Sequence, residues 1–336
     1  MDLKTLTELN APAGHEQAMR RALLEELKNK GFEPTIDRMG NVVVVKPGTG
    51  EAPRKRVLIS AHMDEVGLIV TSATEDGFLK VTTAGGIDPR VVVSKRVLVG
   101  DDKIPGIIGA MAIHLQSAAD RKHVLGFREL SVDIGAKSKD EAEGKAPKGT
   151  YISFDTEYVE YGDGYACGKA FDDRVGCWNL LRLLEDEYSV DIVAVFASQE
   201  ETGCRGAKGA AFAQEPDIGI ILEGTTCNDL GDVPETAQVC KTGEGVCVSF
   251  MDGASIANRD LFKKALEVGA ANGIPHQVKN GVSGGNEGGV VQRARGGIPT
   301  VVLSVPCRYI HSPSSVVKLS DVESQLHLTK ALLKAL

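Results

Sequence analysis

Residues 56–70, RVLISAHMDEVGLIV, contain the pattern from which the architecture of this 336-residue chain is inferred. The stretch begins with a short run of apolar and branched residues, 56–60, of the kind that forms a strand buried inside a sheet. Two residues that can bind a metal or move a proton, His62 and Asp64, follow directly. Because sites in open α/β sheets form beyond the carboxyl ends of the strands, this order predicts an α/β fold with a polar site at that edge.

Three further apolar runs have the same relation to polar residues. The runs VDIVAVFAS (190–198), DIGIIL (217–222) and PTVVLSV (299–305) predict strands that are buried on both faces of a parallel or mixed sheet. An acidic pair, Asp172-Asp173, also precedes a helix that we predict to start at Arg174. The candidate site residues that follow the three strands are Glu200, Glu201, Glu223 and His311.

The sequence pattern between residues 68 and 162 differs from that of the rest of the chain. This segment consists of short alternating runs and glycine turns, beginning with a hairpin whose turn lies at Asp76-Gly77, and it includes a polar helical stretch at 139–144. We therefore expect a mostly β domain inserted into an α/β domain. Outside it, the pattern predicts a strand at 41–45 and amphipathic helices at 14–30, 174–188, 261–272 and 322–336.

Composition narrows the class of protein. The net charge of −8 argues against non-specific binding to nucleic acid or anionic membranes. No apolar run approaches the roughly 18 residues of a membrane span, and the N-terminus lacks the basic and apolar regions of a signal peptide. The seven cysteines form no C-x-x-C pair. We expect free thiols and a cytoplasmic protein.

Taken singly, each polar group has a simpler structural explanation. A lone histidine after a strand is usually a hydrogen-bonded structural residue. Asp172-Asp173 suits the start of a helix, where free N–H groups and the dipole favour acids. Glu200 and Glu201 could form a solvated loop, and Glu223 could pair with a surface arginine.

Taken together, these groups favour a metal centre. Three carboxylates and two imidazoles that converge on one edge of a sheet are costly to bury without a cation. Two divalent ions would balance Asp172, Glu201, Glu223 and one bridging hydroxide. Imidazole and carboxylate ligands suit zinc or cobalt better than calcium, which prefers oxygen ligands. We therefore expect two divalent metal ions, Zn²⁺ or Co²⁺, in each subunit.

The sequence around these residues resembles the M42 family of metallo-aminopeptidases, which includes glutamyl aminopeptidases and chains labelled endoglucanases. The similar stretches occur in the order of the family and span most of the chain. They are SAHMDEVGLIV (60–70), GKAFDDRVGC (168–177), SQEETGCRGA (198–207), ILEGTTCND (221–229) and RYIHSPSSV (308–316).

The resemblance implies a fold, an activity and an assembly. The fold would be a mixed-sheet α/β/α metallopeptidase catalytic domain, residues 1–67 and 163–336, with an inserted small β-barrel-like oligomerisation domain, residues 68–162. The activity would be the removal of N-terminal residues from short peptides. The chain would form a homo-oligomer, a dodecamer with tetrahedral shape and inward-facing active sites. The preferred N-terminal residue stays open.

The resemblance also implies a role for each site residue. Glu200 would be the general base, with a metal-bridging hydroxide as the nucleophile. Asp64 would orient the ring of His62, and the peptide bond between Asp172 and Asp173 would be cis. The metal ligands would be His62, Asp172 and Glu223 for one ion, and Asp172, Glu201 and His311 for the other.

Two positions depart from the family pattern. Glu223 stands where the family more often has Asp, and its longer arm would chelate a metal differently. The stretch SGGNEGG, 283–289, has Asn286-Glu287 where many relatives have Asp-Ala. Since no Lys-Ser/Thr follows, a phosphate loop is not indicated, and we interpret the stretch as a close-packed loop near the site.

Three rival functions fit the sequence less well. A glycoside hydrolase would use two carboxyl groups and benefit from aromatic platforms, yet aromatics are only 5% of the chain and Trp178 lies in the apolar stripe of a helix. A metal-dependent N-acyl amino acid deacylase would need Arg308 or Arg174 to hold a free carboxylate. A non-enzymatic scaffold that has lost its metals is disfavoured, because every expected ligand is present.

Overall fold

Two β-sheets organise the chain. A computed structural model describes residues 1–282 and 284–336, residue 120 by its backbone only. Within these residues, an 11-stranded mixed sheet forms the larger body and a second set of strands closes a barrel. The helices are α1 Leu3–Glu8, α2 Gln17–Asn29, α3 Lys139–Lys145, α4 Phe171–Leu183, α5 Arg205–Gln214, α6 Arg259–Ala271, α7 Gly288–Val291 and α8 Leu319–Lys334. The strands are β1 Thr35–Ile36, β2 Val42–Lys46, β3 Arg56–His62, β4 Gly67–Ala73, β5 Leu79–Ala84, β6 Arg96–Val99, β7 Ile104–Gly109, β8 Ser131–Asp133, β9 Tyr151–Phe154, β10 Val159–Tyr161, β11 Tyr165–Gly168, β12 Asp191–Ala197, β13 Ile218–Thr226, β14 Val246–Ser249, β15 His276–Val278, β16 Thr300–Arg308 and β17 Ser315–Lys318.

The central strands of the large sheet run in the same direction. The strand order is β1-β2-β12-β3-β13-β16-β17-β11-β10, and two further strands branch from it, because β14 pairs with β16 and β15 pairs with β14. The strands β12, β3, β13 and β16 are parallel neighbours. Ala197 in β12 pairs with His62 in β3, so these two strands end level with each other. The carboxyl ends of the four parallel strands therefore lie at one edge of the sheet, as the sequence predicts.

Both faces of this sheet are buried, which gives three layers. Phe196 of β12 packs in a cluster with residues of α2, α4 and α8, whereas its neighbour Val195 packs with residues of α5 and α7. Successive side chains of a strand point to opposite faces, so a strand covered on both sides needs apolar residues at every position. The continuous apolar runs are thus explained, and the predicted α/β/α arrangement is confirmed.

The barrel is closed in the order β4-β5-β8-β7-β6-β9. Its first hairpin turns where the sequence predicts, because Gly77 adopts a φ of +88° that other residues avoid. The strand β10, inside the expected insert at 68–162, does not join the barrel but pairs with β11 in the large sheet. The expected domain boundaries, 67/68 and 162/163, stay a prediction.

The ends of two predicted helices are shifted by local backbone chemistry. α2 begins at Gln17 instead of residue 14, because Gly14 has a φ of +92° and its N–H donates to Glu16 Oε1 at 2.6 Å. α6 begins at Arg259, two residues early, because Asn258 caps it by accepting two backbone N–H groups. An asparagine before a helical pattern is a known start signal, so this cap was readable from the sequence.

The helix predicted to begin at Arg174 begins at Phe171 and ends at Leu183. Asp172 and Asp173 fall in its first turn but have non-helical backbone angles. The peptide bond between them is cis, as the resemblance implies. The acidic pair therefore lies in the first turn of the helix but does not adopt helical backbone angles.

The structure also describes the state of the cysteines and the hydropathy of the helices. All seven cysteines are free thiols, as predicted, and Cys227, Cys240 and Cys247 form a small buried cluster. Among the described residues, no helix combines the length and the apolar character that crossing a membrane requires.

Asn41 connects β2 to the loop after β12, and its removal should destabilise the fold. Its Oδ1 accepts the Ser198 N–H at 2.9 Å, and its Nδ2 donates to the Gly206 carbonyl at 2.9 Å. Asn41→Ala leaves both backbone groups buried without partners, which should cost about 2 kcal/mol or more in the free energy of unfolding. We expect the Tm in thermal denaturation to fall by roughly 4–8 °C. Asn272→Ala, at an exposed asparagine bonded only to its own helix, is the control, and an equal loss in both variants would contradict this role.

Candidate metal centre

The strand ends bring the predicted ligands into two adjoining groups. In the first group, Nε2 of His62 lies 3.3 Å from Oδ1 of Asp172 and 3.6 Å from Oε2 of Glu223. His62 is the last residue of β3, Glu223 lies in β13, and Asp172 comes from the first turn of α4. Three elements that are distant in sequence thus direct ligand atoms at a common point.

The second group uses the other oxygen of the same aspartate. Nε2 of His311 lies 3.3 Å from Oδ2 of Asp172 and 3.4 Å from Oε2 of Glu201. In each group the three ligand atoms lie within 4.8 Å of one another. Because Asp172 offers one oxygen to each group, the two groups meet at its carboxylate.

The carboxylates of these groups are placed where charge is costly. The side chains of Glu201 and Glu223 are 3% and 4% exposed. Burial raises the pKa of Glu201 to about 8 and raises the pKa of Glu223 well above its ordinary value. Burial also acts to raise the pKa of Asp172, but hydrogen bonds from His311 and His62 outweigh it and hold that pKa well below its usual range.

The same acids raise the pKa values of the two imidazoles. Burial acts to lower the pKa of His62, but Asp172, Asp64 and Glu223 outweigh it, so the pKa lies well above its ordinary value. Burial likewise opposes protonation of His311, and its acidic neighbours nevertheless raise its pKa to about 9. A centre that favours cationic imidazoles is one in which positive charge is strongly stabilised.

Asp64 makes contacts that the sequence did not reveal. Its Oδ1 accepts the N–H of Glu200 at 2.9 Å and its Oδ2 accepts the N–H of Glu201 at 3.0 Å. Nδ1 of His62 lies 3.2 Å from the backbone carbonyl of Asp64 and 3.6 Å from its Oδ1. Asp64 therefore fixes the backbone of the Glu200-Glu201 turn, while its role in orienting His62 stays a prediction.

Glu200 lies beside the two groups without belonging to either. Its Oε1 accepts the thiol of Cys204 at 3.1 Å. Burial raises the pKa of Glu200, against the opposing effect of His62. Glu200 is therefore a carboxylate beside the two ligand groups but outside them, and its role as a general base stays a prediction.

Two buried acids near the site were not predicted as site residues. Asp173 accepts the backbone N–H of His62 at 3.2 Å, and Glu287 accepts the hydroxyl of Ser60 at 2.5 Å. The Glu287 N–H points at Oε1 of Glu223 at 3.4 Å, and Oε1 of Glu287 has no partner among the described groups. The sequence offered only adjacency to Asp172 as a signal for Asp173, and no periodic pattern for Glu287.

The glycine-rich stretch around Glu287 is close-packed near the site, as interpreted from the sequence. A Cβ at Gly288 would come within 2.8 Å of Val302, and one at Gly289 within 2.6 Å of Ala254. Only glycine allows such approach. Residue 283, the first of this stretch, lies outside the described residues.

A cavity of about 770 Å³ opens beside His311. Its wall combines Asp88, Arg90 and Lys95, from the segment between β5 and β6, with Tyr309 and His311 from the turn between β16 and β17. Both bodies of the chain therefore border the space beside His311.

A mixed sheet between helical layers, with carboxylates and imidazoles gathered at the ends of its parallel strands, defines the metallohydrolase class. Comparison with known proteins identifies the family within this class. The sequence profile described as M42 glutamyl aminopeptidase matches residues 40–328. The chain belongs to the M42 peptidase family, a metal-dependent family, and is an aminopeptidase.

Relatives and solved structures agree with this family. The lysyl aminopeptidase of Pyrococcus furiosus is 32% identical over 99% of this chain and 96% of its own length. Aminopeptidase APDkam598 from Desulfurococcus kamchatkensis superposes with a TM-score of 0.94 at 32% identity, covering 99% of this chain and 94% of its own. The TET1 peptidase of Pyrococcus horikoshii, reported to assemble into a tetrahedron or a large octahedral shell, has a TM-score of 0.87 at 32% identity, with 99% and 98% covered.

The contacts of Asp64 generate a prediction about metal binding. In Asp64→Asn an amide NH₂ would face a backbone N–H, so the turn that carries Glu201 should move. Residues behind metal ligands typically contribute 10–100-fold to affinity, and we expect a loss of that size in competition with a chromogenic chelator. Asp76→Asn, at the exposed hairpin turn of the barrel, should leave affinity unchanged. Equal affinities for both variants and the unmodified protein would rule out this role.

Proposed function

We propose that this protein is a two-metal aminopeptidase that removes N-terminal residues from short peptides. The observation that carries the proposal is the position of Asp172, which offers its two oxygens to two separate sets of ligands. Each set adds one imidazole and one glutamate. Such a donor set, with an aspartate shared at its centre, suits a pair of divalent ions.

The spacing of the ligand atoms supports zinc or cobalt. In a tetrahedral site with metal–ligand bonds of 2.0–2.2 Å, neighbouring ligand atoms are separated by about 3.3–3.6 Å. The four separations between a histidine nitrogen and a carboxylate oxygen in the two groups are 3.3, 3.6, 3.3 and 3.4 Å. Two ions of this type also offset the buried carboxylate charge.

The catalytic steps would fall to residues of this chain that hold and move a proton. Bound metal ions would polarise the scissile carbonyl and lower the pKa of the attacking water. Glu200 would take the proton from that water at its carboxylate and deliver it to the leaving amine. Asp64 would hold the Glu200 backbone in place through the 2.9 Å bond. The neighbouring acids would favour the cationic α-amine of a peptide.

The contacts of two arginines argue against the deacylase alternative. That reaction needs a cation free to bind a substrate carboxylate. Arg308 is engaged by both oxygens of Asp229, at 2.6 and 2.7 Å. Arg174 is fully buried, where it donates to the carbonyl of Met63 and lies 3.6 Å from Glu65. Neither of the two candidate residues offers an available guanidinium.

The glycosidase alternative is disfavoured for a related reason. Trp178 packs against the hydrophobic core and under the guanidinium of Arg182, at 4.4 Å from its ring centre. It therefore offers no platform on which a sugar could stack. We retain the aminopeptidase as the proposal and place it in the cytoplasm, in line with its free thiols.

We also propose that the chain assembles into a tetrahedral dodecamer. The TET1 peptidase of Pyrococcus horikoshii, of the same fold, is reported to form a tetrahedron. A closed shell would admit short peptides and exclude folded proteins. The expected division into a catalytic domain, 1–67 and 163–336, and an inserted domain, 68–162, belongs to the same proposal.

The role of Glu200 is tested by Glu200→Gln. The amide cannot accept the proton, so kcat should fall by roughly 10²–10⁴-fold, while metal content stays at two ions per subunit. Metal analysis and initial rates on leucyl-p-nitroanilide measure the two quantities. Glu51→Gln, at an exposed position, is the control. Full activity in a metal-loaded Glu200→Gln protein would eliminate Glu200 as the base.

The activity itself is tested with a panel of substrates. Leucyl-, glutamyl- and lysyl-p-nitroanilides carry a free α-amine, and N-acetyl-leucyl-p-nitroanilide does not. We expect hydrolysis of at least one free-amine substrate, its loss on chelation, and its return with Zn²⁺ or Co²⁺, because both metals suit the donor set. Hydrolysis of the acetylated substrate at an equal rate would contradict the aminopeptidase.

A further inference from the structure

A cationic groove lies between α5 and α7, away from the candidate metal centre. It has a volume of about 790 Å³. We define the cationic groove by Arg205, Lys208, Arg293 and the exposed ring of Phe212, which all line it. In a chain of net charge −8 such a concentration of positive charge is unusual.

The charges of the cationic groove are not neutralised within the subunit. Among the described residues, Arg205, Lys208 and Arg293 have no ion pair. Arg205 contacts only an amide oxygen, of Gln199 at 3.4 Å, and Arg293 donates to the carbonyl of Gly289 at 2.6 Å. These cations are therefore available to acidic groups of another molecule.

The same chain carries a surface of opposite character. We call the acidic edge the exposed edge strand β10 with its flanking residues: Glu8, Glu157, Val159, Glu160 and Tyr161. Val159 and Tyr161 point to one face of this strand and Glu160 points to the other. Val159 and Tyr161 are about half exposed, and β10 is the last strand of the sheet, with an unpaired edge. Exposed edge strands are usually covered or charged.

The acids of this edge also lack cationic partners. Glu8 accepts the backbone N–H of Tyr158 at 3.2 Å and Glu160 accepts the hydroxyl of Tyr158 at 2.9 Å. Neither they nor Glu157 form an ion pair with any residue that the structure describes. The acidic edge thus offers carboxylates without ion pairs and apolar side chains to a groove with three cations without ion pairs and an aromatic ring. A fourth cation of the groove, Arg295, is paired with Glu215 at 3.0 Å and lies over the ring of Phe212.

The two surfaces lie on different parts of the subunit. The acidic edge borders β10, at one end of the strand order, while Met39 from the turn after β1, at the other end, lines the cationic groove. A subunit therefore cannot satisfy its own groove. Contact between unlike surfaces of two copies is heterologous, and it closes into a ring when the rotation allows.

We propose that the cationic groove of one subunit binds the acidic edge of a second copy of this chain, and that three such contacts form a ring. The inference rests on the tetrahedral assembly proposed above, since a tetrahedral dodecamer contains three-fold axes. Phe212, Val159 and Tyr161 supply the apolar contact, and the charges set the partner and its orientation.

Charge reversal tests the proposal on the full chain. Lys208→Glu with Arg293→Glu should convert the dodecamer into dimers or monomers in light scattering at about 0.1 M salt, where surface charges are not fully screened. Glu157→Lys with Glu160→Lys should do the same. All four substitutions in one chain restore opposite charges across the contact, and the dodecamer should return.

Controls separate this interface from folding and from the proposed activity. Lys28→Glu with Lys263→Glu reverses two exposed charges elsewhere and should leave the dodecamer intact. Each variant should keep its Tm and its rate on leucyl-p-nitroanilide. An inactive but dodecameric unmodified protein would contradict the proposed function and leave this interface standing. Any of three results would overturn the interface. These are an unmodified protein that is monomeric or dimeric, groove variants that stay dodecameric, and a variant with all four substitutions that stays dissociated.

Discussion

The burial of many acidic side chains at one edge of a sheet is the constraint on which the rest of this structure depends. Asp64, Asp173 and Glu287 are completely buried, close to ligand groups that already contain three carboxylates. The nearby cations do not offset them, because Lys169 and Arg174 are committed to Glu65. A dry region with this charge is stable only with added cations or bound protons. The proposed metal ions supply the first of these.

The fold makes that concentration of charge possible. Parallel strands end level with each other, so residues far apart in sequence meet at one edge, and buried helices on both faces keep water out. The backbone then holds the acids: Asp64 accepts two N–H groups of the turn after β12, and Asp172 accepts the N–H of Gly224 at 3.1 Å. The site is thus built as much from main-chain donors as from side-chain ligands.

Apolar runs and the polar residues after them predict a sheet buried on both faces and the gathering of acids and imidazoles at one of its edges, whereas the division of the ligands into two groups is implied only by the family resemblance. Such runs carry a strong signal, because a strand covered on both faces tolerates few polar residues. The contacts of Glu287 cannot be predicted from the sequence, since its partner Ser60 lies 227 positions away and no local pattern links them. The pairing of β10 with β11 was missed because a short exposed strand looks the same in a barrel or at a sheet edge. The helix start at Asn258 carries a local signal, since an asparagine before a helical pattern caps the helix.

The central claim is that Asp172 is shared by two metal ions, and metal stoichiometry tests it most directly. Protein stripped with a chelator would be titrated with Zn²⁺, and bound metal would be measured after removal of the excess. We expect two ions per subunit for the unmodified chain, one for His311→Ala, and none held tightly by Asp172→Ala. A variant of Asp172 that still binds two ions tightly, or an unmodified chain that binds only one, would contradict it.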